Sequence, residues 1–181
     1  MRWLFLLISV CVAGSLFPAE AQNPTWKTQS PCDSDFSVKV PSPLYREGSD
    51  EDFEPDISAY VAKFKPARRL FRVDVWKVGK KDRRNLDFGG MWFIIGGDDA
   101  FDFTESVVRR NGLVGKEYVY HEKVGDGSYP RGRIFYARGR IYFVIFVGAT
   151  AADLASADAE RFLNSFRLRK VRHNSFRRTH R

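Results

Sequence analysis

The chain has 181 residues, of which 44% are hydrophobic and 29% charged, and this suits one domain with a single core. The formal net charge is +8, but residues 167–181 contain seven bases and no acid, which leaves +1 for residues 22–166 and zero for residues 1–21. The near-neutral body excludes the broad basic face of a nucleic-acid-binding domain and assigns the positive charge to the C-terminal end.

Residues 1–21 have the pattern of a secretory signal peptide. One base, Arg2, precedes an apolar stretch at residues 4–17 that is too short to span a bilayer comfortably. The small residues of Ala19-Glu20-Ala21 then form a signal-peptidase site. We expect cleavage before Gln22, export to the periplasm or medium, and no transmembrane segment after cleavage; an uncleaved N-terminal anchor is the alternative.

Two cysteines remain to be placed. A lipoprotein anchored through Cys11 is disfavoured, because Val10 precedes it where such sites have Gly or Ala. Cleavage leaves Cys32 alone, which excludes an intramolecular disulfide even though the compartment permits one. Cys32 is then either a solvated or half-buried thiol or a link to a second chain.

The first half of the body predicts β-strands. Residues 36–40 alternate with period two, their apolar residues inward, and prolines end the strand. A solvated acidic loop follows at residues 47–56, with strands predicted at 60–64 and 70–78. The apolar run at residues 91–95 should be buried whether it forms a strand or a loop.

A helix is predicted next, at residues 100–110. Asp98 and Asp99 are candidate N-caps, acids occupy the first turns, and Asn111-Gly112 is typical of a C-terminal end.

Strand patterns return in the second half of the body. A strand at residues 114–124 precedes a hairpin of strands 133–137 and 140–147, with its turn at Arg138-Gly139. A closing helix is indicated by one apolar stripe: Ala155, Ala159, Phe162, Leu163 and Phe166. The predicted fold class is α+β, an antiparallel sheet of about six strands covered by helices, in one domain at residues 22–168.

Several motifs resemble a widespread group of exported bacterial proteins of unknown function. The N-terminal motifs are Trp26-Lys27, Ser30-Pro31 and Phe36-Ser37-Val38-Lys39-Val40-Pro41. The later ones are Gly115-Lys116-Glu117 at a central strand, Arg133-Ile134-Phe135-Tyr136 with Gly139-Arg140-Ile141-Tyr142 in the hairpin, and the helix Ala159 to Phe166 with its F-x-x-S-F ending. That group is similar in fold to the PsbP-like proteins, antiparallel sheet and helix sandwiches.

The resemblance spans most of residues 26–168 and implies a PsbP-like α/β/α sandwich in the cell envelope. It implies no catalytic residues, since the shared motifs are structural. Cys32, where the pattern has a glycine or an acid, and the arginine-rich tail depart from it.

An acidic cluster is the first candidate for chemistry. Asp98, Asp102 and Glu105 would share one face of the predicted helix, beside Asp99, which suggests a calcium site or an acid-base pair. The spacing matches no calcium loop, and acids in a first helical turn are favoured by the helix dipole in any case.

His121, beside Glu122, is the other candidate. It is the only histidine before the tail, so zinc binding or catalysis would need partners from elsewhere. No serine-nucleophile motif, phosphate loop or dinucleotide fingerprint is present, and the basic-aromatic strand at residues 138–146 has the wrong register for an RNA-binding sheet. We predict no catalytic residue, metal or cofactor; a hydrolase using the acidic cluster and His121 is the alternative.

The tail, residues 169–181, has the composition of a disordered basic arm. Its candidate contacts with an anionic surface are Lys170, Arg172, Arg177, Arg178 and Arg181. Lipid headgroups or acidic polysaccharide would attract them, whereas specific nucleic-acid binding is not expected; the alternative is a solvated end without a partner. We therefore predict a non-enzymatic exported binding or scaffold domain of the envelope, tethered to an envelope protein or an anionic surface.

Overall fold

The computed structural model describes residues 24–47, 57–78, 102–124 and 127–170. The predicted signal peptide, the apolar run at 91–95 and residues 171–181 lie outside them. The strands are β1 (Lys27–Gln29), β2 (Phe36–Val40), β3 (Tyr45–Arg46), β4 (Ile57–Phe64), β5 (Arg69–Lys77), β6 (Phe103–Arg110), β7 (Leu113–Tyr120), β8 (Tyr129–Ala137), β9 (Arg140–Gly148) and β10 (Arg167–Leu168). Helix α1 is Ala157–Ser165, and 3-10 helices span Lys65–Ala67 and Ala151–Ala155.

The larger sheet is antiparallel and has seven strands in the order β3-β4-β5-β9-β8-β7-β6. The strands predicted at 60–64, 70–78, 133–137 and 140–147 are confirmed within β4, β5, β8 and β9. The tight turn between β8 and β9 is confirmed as well: Arg138 and Gly139 both have positive φ, 54° and 72°, as the two-residue turn that matches strand twist requires.

The helix predicted at residues 100–110 is wrong, because Phe103–Arg110 is strand β6, paired along its length with β7. Asn111-Gly112 is the turn of this hairpin, with φ values of 50° and 79°, and not the end of a helix. An Asn-Gly pair is the strongest short-range hairpin signal, and the β-branched residues before it favour a strand. Of the acids assigned to the first helical turns, Asp102 instead precedes β6 and Glu105 lies within it.

The smaller sheet, in the order β1-β2-β10, covers one face of the larger sheet together with α1. The predicted inward residues of β2 are confirmed, since Phe36, Val38 and Val40 have no exposed surface. They pack into a core cluster with residues of β4, β5, β9 and α1. Phe166 is central to this core, because its ring stacks on Phe135 at a centroid distance of 5.5 Å.

The opposite face of the larger sheet carries a second apolar cluster. Its buried members are Tyr118, Tyr120, Val124, Ile134, Ile141, Phe143 and Ile145. Strand β9 is therefore buried on both sides, which explains why its sequence is a continuous apolar run without alternation.

Helix α1 begins at a Ser156 cap, whose hydroxyl accepts a hydrogen bond from the Ala159 amide at 3.2 Å. The predicted apolar stripe holds for Ala159, Phe162 and Leu163, which are buried, whereas Ala155 lies in the preceding 3-10 helix and is exposed. Within the described residues no helix has the length and apolarity needed to cross a membrane.

The fold class is confirmed as mostly antiparallel sheet, but the proportions differ from the prediction. Seven strands and a second sheet of three replace the single sheet of about six, and α1 is the one α-helix in the described ranges. The difference arises because the small sheet of β1, β2 and β10 covers much of the face of the larger sheet that helices were expected to cover.

Candidate functional site

A basic cleft lies between the smaller sheet and the end of α1. Strand pairing places Thr28 opposite Lys39, and Arg167 opposite Ser37. Because alternate residues of a strand face the same side, these four side chains share the outer face of the sheet, while the apolar residues of β2 point into the core. The register of three short strands thus gathers polar groups that are far apart in sequence.

The cleft has a volume of about 360 Å³. It is lined by Thr28, Ser37, Lys39, Arg161, Asn164, Ser165 and Arg167, with three bases and no acid. Ser165 joins its two walls, because its hydroxyl accepts from the Lys39 amide and donates to the Phe162 carbonyl, each at 2.7 Å. Strand β10 begins only at Arg167, so no β10 carbonyl reaches the Lys39 amide. The Ser165 hydroxyl accepts that hydrogen bond instead.

The cations of the cleft, Lys39, Arg161 and Arg167, are exposed and form no ion pair with any residue in the described ranges. Arg161 is nevertheless oriented, since its guanidinium lies 5.0 Å from the centroid of the Trp26 ring. By contrast, Arg46, Arg69, Arg72, Arg131, Arg133, Arg138 and Arg140 each have a carboxylate partner. The body is near neutral in total, yet in the described ranges no acid lines this cleft, which is therefore positive.

The C-terminal end of α1 offers a structural reason for bases at this place, since its carbonyls carry a partial negative charge. That charge amounts to about half an elementary charge. Three cations exceed it several-fold, so the helix end does not neutralise the cleft. The cleft therefore retains a net positive charge available to an anion.

Asn164 connects the cleft to a buried ion-pair network. Its side chain accepts from Arg133 at 2.9 Å and donates to Glu160 at 2.8 Å. Burial lowers the pKa of Arg133, against the opposing effect of Glu117. For Glu160, burial alone would raise the pKa. The hydrogen bond and positive charge of Arg131 outweigh burial, so the pKa of Glu160 lies below its usual value. The hydrogen bonds to Arg133 and Glu160 hold the Asn164 side chain in place.

The root of the tail is anchored beside the cleft. The Arg169 amide donates to the Asp35 carbonyl, and the Arg169 carbonyl accepts from Arg138, both at 2.8 Å. Lys170 follows and is exposed. The other candidate tail contacts, Arg172, Arg177, Arg178 and Arg181, lie outside the described residues.

The two members of the acidic cluster that the structure describes do not meet. Because β6 is a strand, Asp102 and Glu105, three residues apart, project to opposite sides of it, and Glu105 pairs with Lys116 at 2.7 Å. Asp98 and Asp99 lie outside the described residues. His121, just beyond β7, contacts the Thr104 hydroxyl at 2.6 Å, with no carboxylate partner in the described ranges.

Metal ligands and thiols give no further site. In the parts of the chain that the structure describes, no three His, Cys, Asp or Glu side chains lie close enough to hold a metal ion. Cys32 is exposed, in agreement with a solvated thiol.

The two sheets and the helix packed against them define a PsbP-like fold in the described residues, as the sequence resemblance predicted. The solution structure of cyanobacterial PsbP (CyanoP) from Synechocystis sp. PCC 6803 matches with a TM-score of 0.59 and 13% identity, covering 82% of this chain and 95% of that chain. The structure of PA94 from Pseudomonas aeruginosa, a protein of unknown function, matches with a TM-score of 0.40 and 14% identity over 71% of this chain and 85% of that one. No protein-family model and no curated protein matches the sequence.

Sequence reasoning missed Lys39, Arg161 and the rest of the cleft. Its bases come from β2, α1 and β10, and nothing in the local pattern around each residue indicates that they converge. Only the register that sets Arg167 against Ser37 brings them together.

Proposed function

We propose that this protein is a non-enzymatic, exported binding domain of the cell envelope that attaches to an anionic surface through its basic tail and the adjacent cleft. The observation that carries the proposal is the unpaired positive charge of Lys39, Arg161 and Arg167 at the root of that tail. Lipid headgroups and acidic polysaccharide are the anionic surfaces that an exported protein meets.

The strength of such binding follows from the number of bases. Each Lys or Arg near an anionic membrane contributes about 1 kcal/mol, and salt screens the attraction beyond about 8–10 Å. The five bases of residues 170–181 would then supply most of the affinity. The cleft would add a contribution from the folded body.

The test is sedimentation of the purified protein with vesicles of phosphatidylglycerol and phosphatidylcholine, in low and high salt, beside a variant ending at Arg169. This end keeps both backbone hydrogen bonds of Arg169, so the fold should be unaffected. We expect salt-sensitive binding to the anionic vesicles that drops at least about a hundredfold on truncation. Unchanged binding after truncation would contradict the proposal.

The control keeps the tail and removes three positive charges elsewhere. Lys63, Lys65 and Arg110 are exposed bases outside the cleft. Their combined change to Gln should reduce vesicle binding far less than truncation does. An equal loss would mean that overall charge, and not the tail, governs attachment.

Export and partner are tested separately. Osmotic-shock fractionation of the producing cells should release the protein without residues 1–21, and retention of those residues would contradict cleavage. A pull-down from envelope extract with the whole and truncated proteins then distinguishes the body from the tail. A partner held by both proteins would locate binding on the body and would contradict attachment mainly through the tail.

A further inference from the structure

We infer that the basic cleft is a binding site for a phosphomonoester group, formed by the folded body and independent of the tail. The site is the specific component of the anionic-surface binding proposed above and rests on it. Its bases, Lys39, Arg161 and Arg167, lie on three elements whose relative positions are held by the Ser165 hydroxyl and by strand pairing. The cleft is therefore assembled before any ligand arrives.

The charge of the cleft favours a dianion. Three cations surround it, no acid lines it, and the end of α1 offsets only about half a charge. A carboxylate would neutralise one of these cations, whereas a phosphomonoester carries a charge of about −1.5 to −2 at neutral pH and has three strong acceptor oxygens. The phosphomonoester therefore matches the excess charge more closely.

The donors of the cleft also match phosphate. Arginine guanidinium groups present paired N–H donors that suit phosphate oxygens, and lysine contributes a point charge. The hydroxyls of Thr28 and Ser37 lie on the same face of the sheet as Lys39 and Arg167, and their side chains make no hydrogen bond within the described residues. Asn164 and Ser165 are already engaged, so the walls stay fixed while the free donors face the ligand.

The size of the cleft indicates more than an inorganic ion. Its volume of about 360 Å³ lies within the range of small-molecule sites, about 300–1,000 Å³. The Trp26 ring contacts the Arg161 guanidinium and so holds one wall of this space in place. A phosphate carried on an organic group of headgroup size therefore fits better than phosphate alone.

The experiment titrates the purified protein with glycerol 3-phosphate, inorganic phosphate and acetate by calorimetry, and follows backbone amide resonances. We expect glycerol 3-phosphate to bind more tightly than either other anion and to shift the amides of Lys39, Ser165 and Arg167. Changing Lys39, Arg161 and Arg167 to Gln together should raise the Kd by at least about tenfold. The control, Lys63, Lys65 and Arg110 to Gln, removes the same charge and should leave the Kd within about twofold.

Tail truncation separates this site from the proposed function. The variant ending at Arg169 should bind glycerol 3-phosphate as the whole protein does, even though its binding to phosphatidylglycerol vesicles falls at least about a hundredfold. Loss of glycerol 3-phosphate binding on truncation would overturn the cleft site and leave the tail tether standing. Acetate binding as tight as glycerol 3-phosphate, or equal effects of both triple variants, would overturn it as well.

Two sources of the phosphomonoester remain to be distinguished by the same variants. Vesicles of phosphatidic acid and phosphatidylcholine present the group on a membrane, and glycerol 3-phosphate presents it in solution. Binding of the truncated protein to phosphatidic acid vesicles, lost when Lys39, Arg161 and Arg167 are also changed to Gln in it, would identify a lipid headgroup. Binding of the soluble compound alone would identify a free phosphorylated metabolite, and binding of neither would overturn the inference.

Discussion

The Tyr142 hydroxyl donates to the carboxylate of Asp35, at 2.9 Å from each oxygen. The two residues are 107 positions apart, and Tyr142 is fully buried in β9. Asp35 also forms an ion pair with Arg140 at 2.9 Å, and its carbonyl accepts from Arg169. One aspartate therefore joins the segment before β2, the β8–β9 hairpin and the root of the tail.

Removing the Tyr142 hydroxyl should destabilise the fold. A hydrogen bond to a charged group contributes about 1.5–3 kcal/mol, and Arg140 still compensates Asp35 after its loss. We expect Tyr142→Phe to lower the free energy of unfolding by about 1–2 kcal/mol in urea titration. Tyr45→Phe, at an exposed position, is the control and should change it by less than about 0.5 kcal/mol.

Alkaline pH should weaken the protein through its buried tyrosines. Burial, with a hydrogen bond to Asp35, raises the pKa of Tyr142 to about 12, and burial raises the pKa of Tyr60 and of Tyr120 to about 12 as well. Between the unfolded value near 10 and these folded values, the native state keeps protons that the unfolded chain has released. The contribution of these three tyrosines to the free energy of unfolding should therefore be fully present below about pH 10 and be lost from pH 10 to 12.

Urea titrations at intervals from pH 8 to 12 test this directly. Tyr142→Phe should reduce the slope of the alkaline limb, because one of the three groups no longer titrates. A limb as steep in that variant as in the parent protein would show that Tyr142 does not contribute.

Two glutamates on neighbouring strands allow a test of burial. Glu117 pairs with Arg131 at 2.7 Å and with Arg133 at 3.2 Å, and Arg133 is only 2% exposed. Glu105 pairs with Lys116, and both side chains are more than a third exposed. Breaking a buried pair leaves an uncompensated charge, which costs about 3–5 kcal/mol, whereas an exposed pair contributes about 0–1 kcal/mol.

Glu117→Gln should therefore lower the free energy of unfolding by about 3 kcal/mol, and Glu105→Gln by less than about 1 kcal/mol. Thermal and urea unfolding of the two variants, beside the parent, give the comparison. Similar losses in both would mean that Glu160 and the Asn164 side-chain oxygen suffice to compensate the buried Arg133.

The sequence predicted those elements whose local pattern agrees with their final environment. Strand β2 alternates cleanly because one side is buried and the other is open, and Arg138-Gly139 specifies its turn by local chemistry alone. Strand β6 was mistaken for a helix because the acids at residues 98–105 were given more weight than the hairpin signal of Asn111-Gly112, and pairing with β7 decides between the two structures. The basic cleft was missed because the net charge is a sum over the whole chain. The positive charge of the cleft depends instead on which bases the strand register brings together without an acid beside them.

Gly115 shows how packing makes one residue type necessary. It lies in β7 opposite Phe135, and a Cβ atom there would overlap the Ile134 carbonyl oxygen and lie 2.7 Å from the Phe135 ring. Both obstacles belong to the central sheet and the core, so neither can move without disturbing β8. The glycine in the Gly115-Lys116-Glu117 motif thus has a steric cause.

Gly115→Ala should lower the free energy of unfolding by about 1–3 kcal/mol or more, as overpacking of a well-packed site does. Gly112→Asn is the matched control: φ at Gly112 is +79°, a Cβ there would meet nothing within 4 Å, and asparagine tolerates the left-handed conformation. We expect that variant to change the free energy of unfolding by less than about 1 kcal/mol. Urea titration of both variants gives the two values. If Gly115→Ala were as stable as the parent protein, β8 would have moved to accommodate the added methyl group, which would contradict the close packing of Phe135.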